Sequence, residues 1–235
     1  MPQNYYQSRK QEIIRQFEES LALVARDFAR KAPGVEFEQL HPQLAAEIDS
    51  VIDALPWVGG DEGRMTRYFE QNAGIIALGR VLLAQGLEWH TVADLLTRTF
   101  LARLAHLDEK TRFDMGRSFM SQTSQAQLRS LAERSSAREN AGDFVYTFVD
   151  AGTDEVGHAF DFGLDYQECG FCKLCAATGD GEILPMICGM DEESYALRGI
   201  RLTRTQTLAS GATHCNFRYS LLPEAQEGTR QPDDE

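Results

Sequence analysis

Lysine is scarce in this chain, at four residues, and cysteine is absent before position 169. Basic residues total 23 against 36 Asp and Glu, for a formal net charge of −13. A field of that sign repels phosphate backbones and anionic lipid, so neither nucleic acid nor membrane is expected as a partner. No apolar run approaches the roughly 20 residues that a spanning helix needs, and the first residues show no pattern of a cleaved signal peptide. The five cysteines are odd in number, which argues against a disulfide framework. These deficits point to a reducing, cytoplasmic compartment and to a small-molecule substrate as the partner, with a homo-oligomer left open. An anionic substrate needs local arginines to reverse the potential inside its site, and arginine supplies most of the basic residues.

What is present divides into two unlike stretches. At 235 residues the chain is long enough to bury a core without staples. Over 5–31, Ile13, Ile14, Phe17, Leu21, Val24 and Phe28 recur at helical spacing, and Ala32-Pro33-Gly34 ends the run. Further helices are expected over 42–54, 64–85, 91–105 and 113–137, so residues 1–140 read as a helical layer. After Asn140 the period turns from helical to alternating. Strands are expected over 143–149 and 158–166, a helix over 168–178 closed by Gly179, and a short helical or irregular piece carrying Pro185, Cys188 and Asp191. A hairpin of 199–208 and 213–221 follows, turning at Ser210-Gly211. The class is α+β: a helical N-terminal half packed on a mainly antiparallel sheet over 141–222, with short Cys-bearing helices, all in one domain. Residues 223–235 read as an acidic, disordered tail.

All five cysteines fall between 169 and 215. Cys169, Cys172 and Cys175 are spaced as Cys-x2-Cys-x2-Cys, but on a helix the outer two stand about 9 Å apart along the axis, too far for one ion. Cys172 and Cys175 therefore read as small buried hydrophobes. Cys169, Cys188 and Cys215 come from three separate elements. If they converge, the result is a three-thiolate zinc-like site, a nucleophile with flanking thiols, or a core contact. Asp191, three residues after Cys188, is placed either as a carboxylate beside a thiol or as a helix cap. Arg204, Thr205 and Thr207 alternate along an expected strand, with Arg204 on the side opposite the threonines. His158 and His214 are the two histidines of this half, each a base for a cysteine or a solvated surface group.

The words FDFGLDYQECGFCKLC, ICGMD, RTQTLASG and CNFRY together resemble the L-2-amino-thiazoline-4-carboxylic acid hydrolase family, over about Phe160 to Tyr219. One residue departs from that family's pattern, which favours Asp where this chain has Asn216. The resemblance implies a hydrolase that opens a cyclic amidine or isothiourea by adding water at the amidine carbon, giving a carbamoyl-cysteine. On that reading Cys188 or Cys169 attacks, Asp191 handles the proton, Arg204 holds the substrate carboxylate, and Thr205, Thr207, Asn216 and His158 complete the binding set. A hydroxide on an ion held by Cys169, Cys188 and Cys215 is the competing mechanism, so the cofactor is none or a single zinc-like ion. A binding module that encloses a small ligand, soft metal or redox signal without turnover is the reading from another class.

Overall fold

The apolar stripe of the first thirty residues is realised as two helices, α1 (Pro2–Leu23) and α2 (Ala25–Lys31), in a computed structural model that describes residues 2–226. The single expected helix breaks at Val24, where the backbone turns to φ −109°, ψ 10°, yet Phe17, Leu21, Val24 and Phe28 remain buried through the break. The next helix, α3 (Phe37–Ala54), starts five residues before its expected start and carries Pro42 inside it. Proline marks a favoured helix start, but here packing overrides it. Leu40 is buried, and the Phe37 ring meets the ring of Phe28 at 5.5 Å.

The chain resolves into two compact units drawn from interleaved segments. Unit 1 comprises Met1–Arg103, Glu139–Asp143 and Gly170–Met190. Its centre is α4 (Thr66–Ala84), buried on nearly every side because its apolar positions are not confined to one stripe. Phe69 of α4 meets Phe171 of α8 (Gly170–Thr178) at 4.7 Å. Two charged groups on α4 are matched. Glu70 pairs with Arg9, and Arg80 grips buried Asp180 through two 2.8 Å bonds while also reaching Glu47 at 3.0 Å. Burial pushes the Asp180 carboxyl up, and Arg80 with Thr178 outweighs it, so the group titrates below its usual range. Two further helices begin in this unit, α5 (Trp89–Ala105) and α9 (Leu184–Ala196).

Unit 2 comprises Leu104–Arg138, Phe144–Cys169 and Asp191–Glu235. The expected helix over 113–137 is two helices, α6 (Glu109–Met120) and α7 (Gln122–Ser135). Asp108 caps α6 by accepting from Thr111 N at 2.9 Å, and Ser121 ends α6 and caps α7 by accepting from Ser124 N at 3.2 Å. The sheet order is β1 (Val145–Val149), β4 (Phe162–Glu168), β6 (Cys215–Leu221), β5 (Ile200–Thr203), antiparallel throughout. A separate ribbon pairs β2 (Gly152–Thr153) with β3 (Ala159–Phe160), so the strand expected over 158–166 is broken at Asp161. One sheet face carries an aromatic core. Phe148 stacks on Phe162 at 5.5 Å, Phe162 lies 5.0 Å from Tyr219, and Phe119 of α6 meets both Phe162 and Tyr219. The chain is thus α+β, with a helical first half and the strands in its second half.

On the other sheet face, Arg218 crosses Gly163 to donate to Asp165 at 2.6 Å, its guanidinium 5.3 Å from the centre of the Phe160 ring. A Cβ at Gly163 would meet the Phe217 carbonyl oxygen at 2.6 Å and the Arg218 side chain at 2.9 Å. The expected tail begins with the short helix α10 (Pro223–Gln226), and from residue 227 on it lies outside the described residues. Among the described residues no helix is long and apolar enough to cross a membrane. Gly163→Ala is expected to lower stability by about 1–3 kcal/mol, because its methyl must displace backbone as well as side chain; urea unfolding measures it.

Candidate active site

The loop 204–214 between β5 and β6 carries Arg204, Thr205, Thr207 and His214 of the residues singled out from the sequence. The strand expected to run to 208 stops at Thr203, whose partner across the ladder is Arg218. Arg204, Thr205 and Thr207 therefore do not alternate along a strand. The cause is Asn216 on β6, buried to 4 % exposure. Its Oδ1 accepts from both Thr205 N and Gln206 N at 3.0 Å, and its Nδ2 donates to Thr205 Oγ1 at 2.7 Å. One amide satisfies two backbone donors that would otherwise need a ladder. Thr207 then caps a 3-10 turn, Leu208–Ser210, with its hydroxyl accepting from Ser210 N, and Gly211 closes the turn at φ +85°.

This bend buries the side chain of Arg204, which keeps only 5 % of its surface. Its guanidinium lies 4.8 Å from the centre of the Phe217 ring and donates through Nη1 to Asp191 Oδ2 at 3.0 Å, with Glu192 at 3.9 Å. Asp191 belongs to α9 (Leu184–Ala196), and one turn further along that helix is Tyr195. The Tyr219 hydroxyl donates to that of Tyr195 at 3.5 Å, and the Arg198 guanidinium covers the Tyr195 ring at 4.4 Å. The site is thus an acid, a cation and two phenols on an aromatic floor.

Burial pushes the Asp191 carboxyl up to about 6, although Arg204 and Arg198 pull it down; Glu192 adds to the rise. The side chain keeps 40 % of its surface, so the carboxyl is crowded by protein without being dry. Burial also drives the Tyr219 hydroxyl well above the usual phenol range, with Tyr195, Tyr166 and Asp191 adding to the effect. At neutral pH Tyr219 keeps its proton, whereas Asp191 is close enough to neutrality to exchange one.

The remaining expected residues take varied places. Cys215 starts β6 opposite Tyr166, is buried, and its sulfur accepts from Leu208 N at 3.2 Å, so it holds the same loop. Cys169 follows β4 directly, at the same end of the ladder, and is half-buried. Cys188 counts with unit 1 and shares with Asp191 the i, i+3 stripe of α9. Cys172 is half-buried, not fully buried as expected, whereas Cys175 is buried as expected. Burial pushes the Cys175 thiol up to about 12, with Asp180 and Cys172 contributing to the rise. His158 is exposed on the β2–β3 ribbon beside Asp154, at 3.8 Å, and from that ribbon Glu155 accepts from Thr205 Oγ1 at 3.0 Å. Among the described residues no group of three or more His, Cys, Asp or Glu side chains could hold a metal ion, so Cys169, Cys188 and Cys215 do not form such a set there.

The sequence reading passed over Tyr195, Phe217 and Tyr219 as site residues. The signal for Tyr195 was available: it stands four residues after Asp191, on the same helical stripe. For Phe217 and Tyr219, alternation with Asn216 and Arg218 indicated a packing face, and nothing local marked that face as the floor of a cationic site.

Against known proteins, the profile of the family described as L-2-amino-thiazoline-4-carboxylic acid hydrolase matches residues 92–219, more than half of the chain. No curated protein and no solved structure gives a significant match.

Two outcomes follow for the site's scaffold. Asn216→Ala strands two backbone donors and is expected to cost about 1–3 kcal/mol, while Asn216→Asp, which keeps the oxygen that accepts from both, costs less; paired urea titrations give the order. Iodoacetamide at about pH 8 is expected to spare Cys175 in the folded protein and to label it in denaturant, as read by peptide mass spectrometry.

Proposed function

Because this chain belongs to the L-2-amino-thiazoline-4-carboxylic acid hydrolase family, we propose that it hydrolyses a small, carboxylate-bearing sulfur and nitrogen heterocycle at its amidine carbon. The observation that carries this reading is the Asp191–Arg204 pair: a guanidinium buried on the Phe217 face and an acid whose pKa is pushed up to about 6.

The chemistry asks for three things, and the loop and α9 supply two directly. The substrate carboxylate needs a cation in a recess of low dielectric, where a guanidinium offers two parallel donors; Arg204 takes this role. The ring atom that leaves the amidine carbon needs a proton; Asp191, protonated, donates it. The third need is the attacking group. Water supplies the new oxygen, either directly or after a thiolate of Cys169 or Cys188 has opened the ring and been released. Water's oxygen becomes the new carbonyl, the carbon–sulfur or carbon–nitrogen ring bond breaks toward the ring atom, and both protons of the water end on the opened ring. Asp191 delivers one of them and is reloaded from the water. Thr205 and Asn216 act one step back, holding the backbone that presents Arg204.

Purified protein incubated with 2-amino-thiazoline-4-carboxylate is expected to release a carbamoyl-cysteine. Asp191→Asn lowers kcat by about 10²–10⁴-fold, the range for loss of a positioned general acid. The wild-type kcat/KM falls as pH rises above about 6, because the acid must carry its proton to act. A flat profile across that range, or full activity in Asp191→Asn, removes Asp191 from the reaction. Single Cys169→Ser and Cys188→Ser exchanges separate thiol attack from direct water attack.

A further inference from the structure

Asp191 and Arg204 differ sharply in exposure, at 40 % against 5 % of side-chain surface. The acid therefore lies on the solvent side of the cation, and a ligand approaching Arg204 meets Asp191 first. We infer that a substrate carboxylate takes Asp191's place on Arg204, so that binding releases this acid from its cation and loads it with a proton. The inference rests on the proposed hydrolase reading and adds to it a coupling between substrate binding and proton uptake.

The geometry gives the exchange its direction. Arg204 is fixed from beneath by the Phe217 ring at 4.8 Å and along its loop by the bonds of Thr205 and Gln206 to Asn216, so the cation stays while its anion changes. Arg204 Nη1 donates to Asp191 Oδ2 at 3.0 Å, and a substrate carboxylate can match the same guanidinium with two oxygens in plane. Two carboxylates facing one cation repel each other, and the one with the higher proton affinity takes up a proton. The charged and titratable groups facing Asp191 are Arg204 from the loop, Arg198 from the end of α9, Glu192 and Tyr195 from α9 itself, and Tyr219 from β6. Withdrawing Arg204 from that set leaves Arg198 as the opposing cation, with burial and Glu192 both favouring the neutral acid. The protonated carboxyl is then the proton donor that ring opening requires, so the substrate arms its own catalyst and an empty site does not.

Calorimetric titration of the full chain with tetrahydrothiophene-2-carboxylate tests this without turnover, because that saturated sulfur ring keeps the carboxylate, lacks the amidine carbon and has no amine that could itself take up the proton. At about pH 7.5, in buffers of different ionisation enthalpy, the heats are expected to report uptake on the order of half a proton or more per bound ligand. Asp191→Asn, which removes the competing anion, is expected to bind the probe several-fold more tightly and with no proton uptake. Binding to the wild type with buffer-independent heat overturns the exchange, as does weaker binding to Asp191→Asn. Should that variant fail to fold, the wild-type buffer comparison decides alone. No binding to a protein that still hydrolyses 2-amino-thiazoline-4-carboxylate overturns the exchange and leaves the hydrolase reading standing; no binding together with no hydrolysis overturns both.

Discussion

A guanidinium with 5 % of its surface left cannot be held in a protein without a counter-charge and a surface that tolerates it, and the local architecture of unit 2 follows from meeting both needs at Arg204. The counter-charge comes from α9 as Asp191, and the tolerant surface is the Phe217 ring on β6. For the two to close on Arg204, the chain must leave β5 immediately before it. It does so because Asn216, the neighbour of Phe217 on β6, accepts the next two backbone N–H groups. The alternation of β6 thus performs two tasks at once: Phe217 on one side receives the cation, and Asn216 on the other bends the loop that delivers it. Cys215 adds a sulfur acceptor for Leu208 N at the same strand end.

The sequence was informative wherever a periodic signal stood alone. The change of period after Asn140, the helix after Cys169, the turn at Gly211 and the hairpin β5–β6 all have local causes, and the structure bears them out at element level. It was uninformative where a distant contact overrode a local preference. The helix expected from 42 starts at Phe37, because buried Leu40 and the Phe28–Phe37 ring contact carry α3 further upstream. The period over 113–137 matched one helix, and the Ser121 junction between α6 and α7 left no break in the apolar pattern to reveal it.

The loop 204–207 failed for the same kind of reason. RLTRTQT has strand composition, and its departure from the sheet is dictated by an amide twelve residues after Arg204. Nor could composition show that the compact units interleave, because each is assembled from segments far apart in the chain. The residue types at the site were legible, as thiols, an acid and an arginine. Their partners were not, since partnership lives in tertiary contacts such as the Tyr195–Tyr219 pair.

An asparagine rather than an aspartate at position 216 follows from the same balance of charge. Both side chains offer an oxygen that can accept from Thr205 N and Gln206 N, so the bend itself does not discriminate between them. The difference falls on the second atom. In this chain it is a donor, Nδ2, which bonds Thr205 Oγ1 at 2.7 Å and leaves that hydroxyl to donate onward to Glu155 at 3.0 Å. An ionised aspartate would present an acceptor there, would compete with Glu155 for the one hydroxyl proton, and would add a negative charge to a loop that already sets Asp191 and Glu192 against a single buried guanidinium. The amide keeps the loop's geometry without adding a third negative charge beside Arg204.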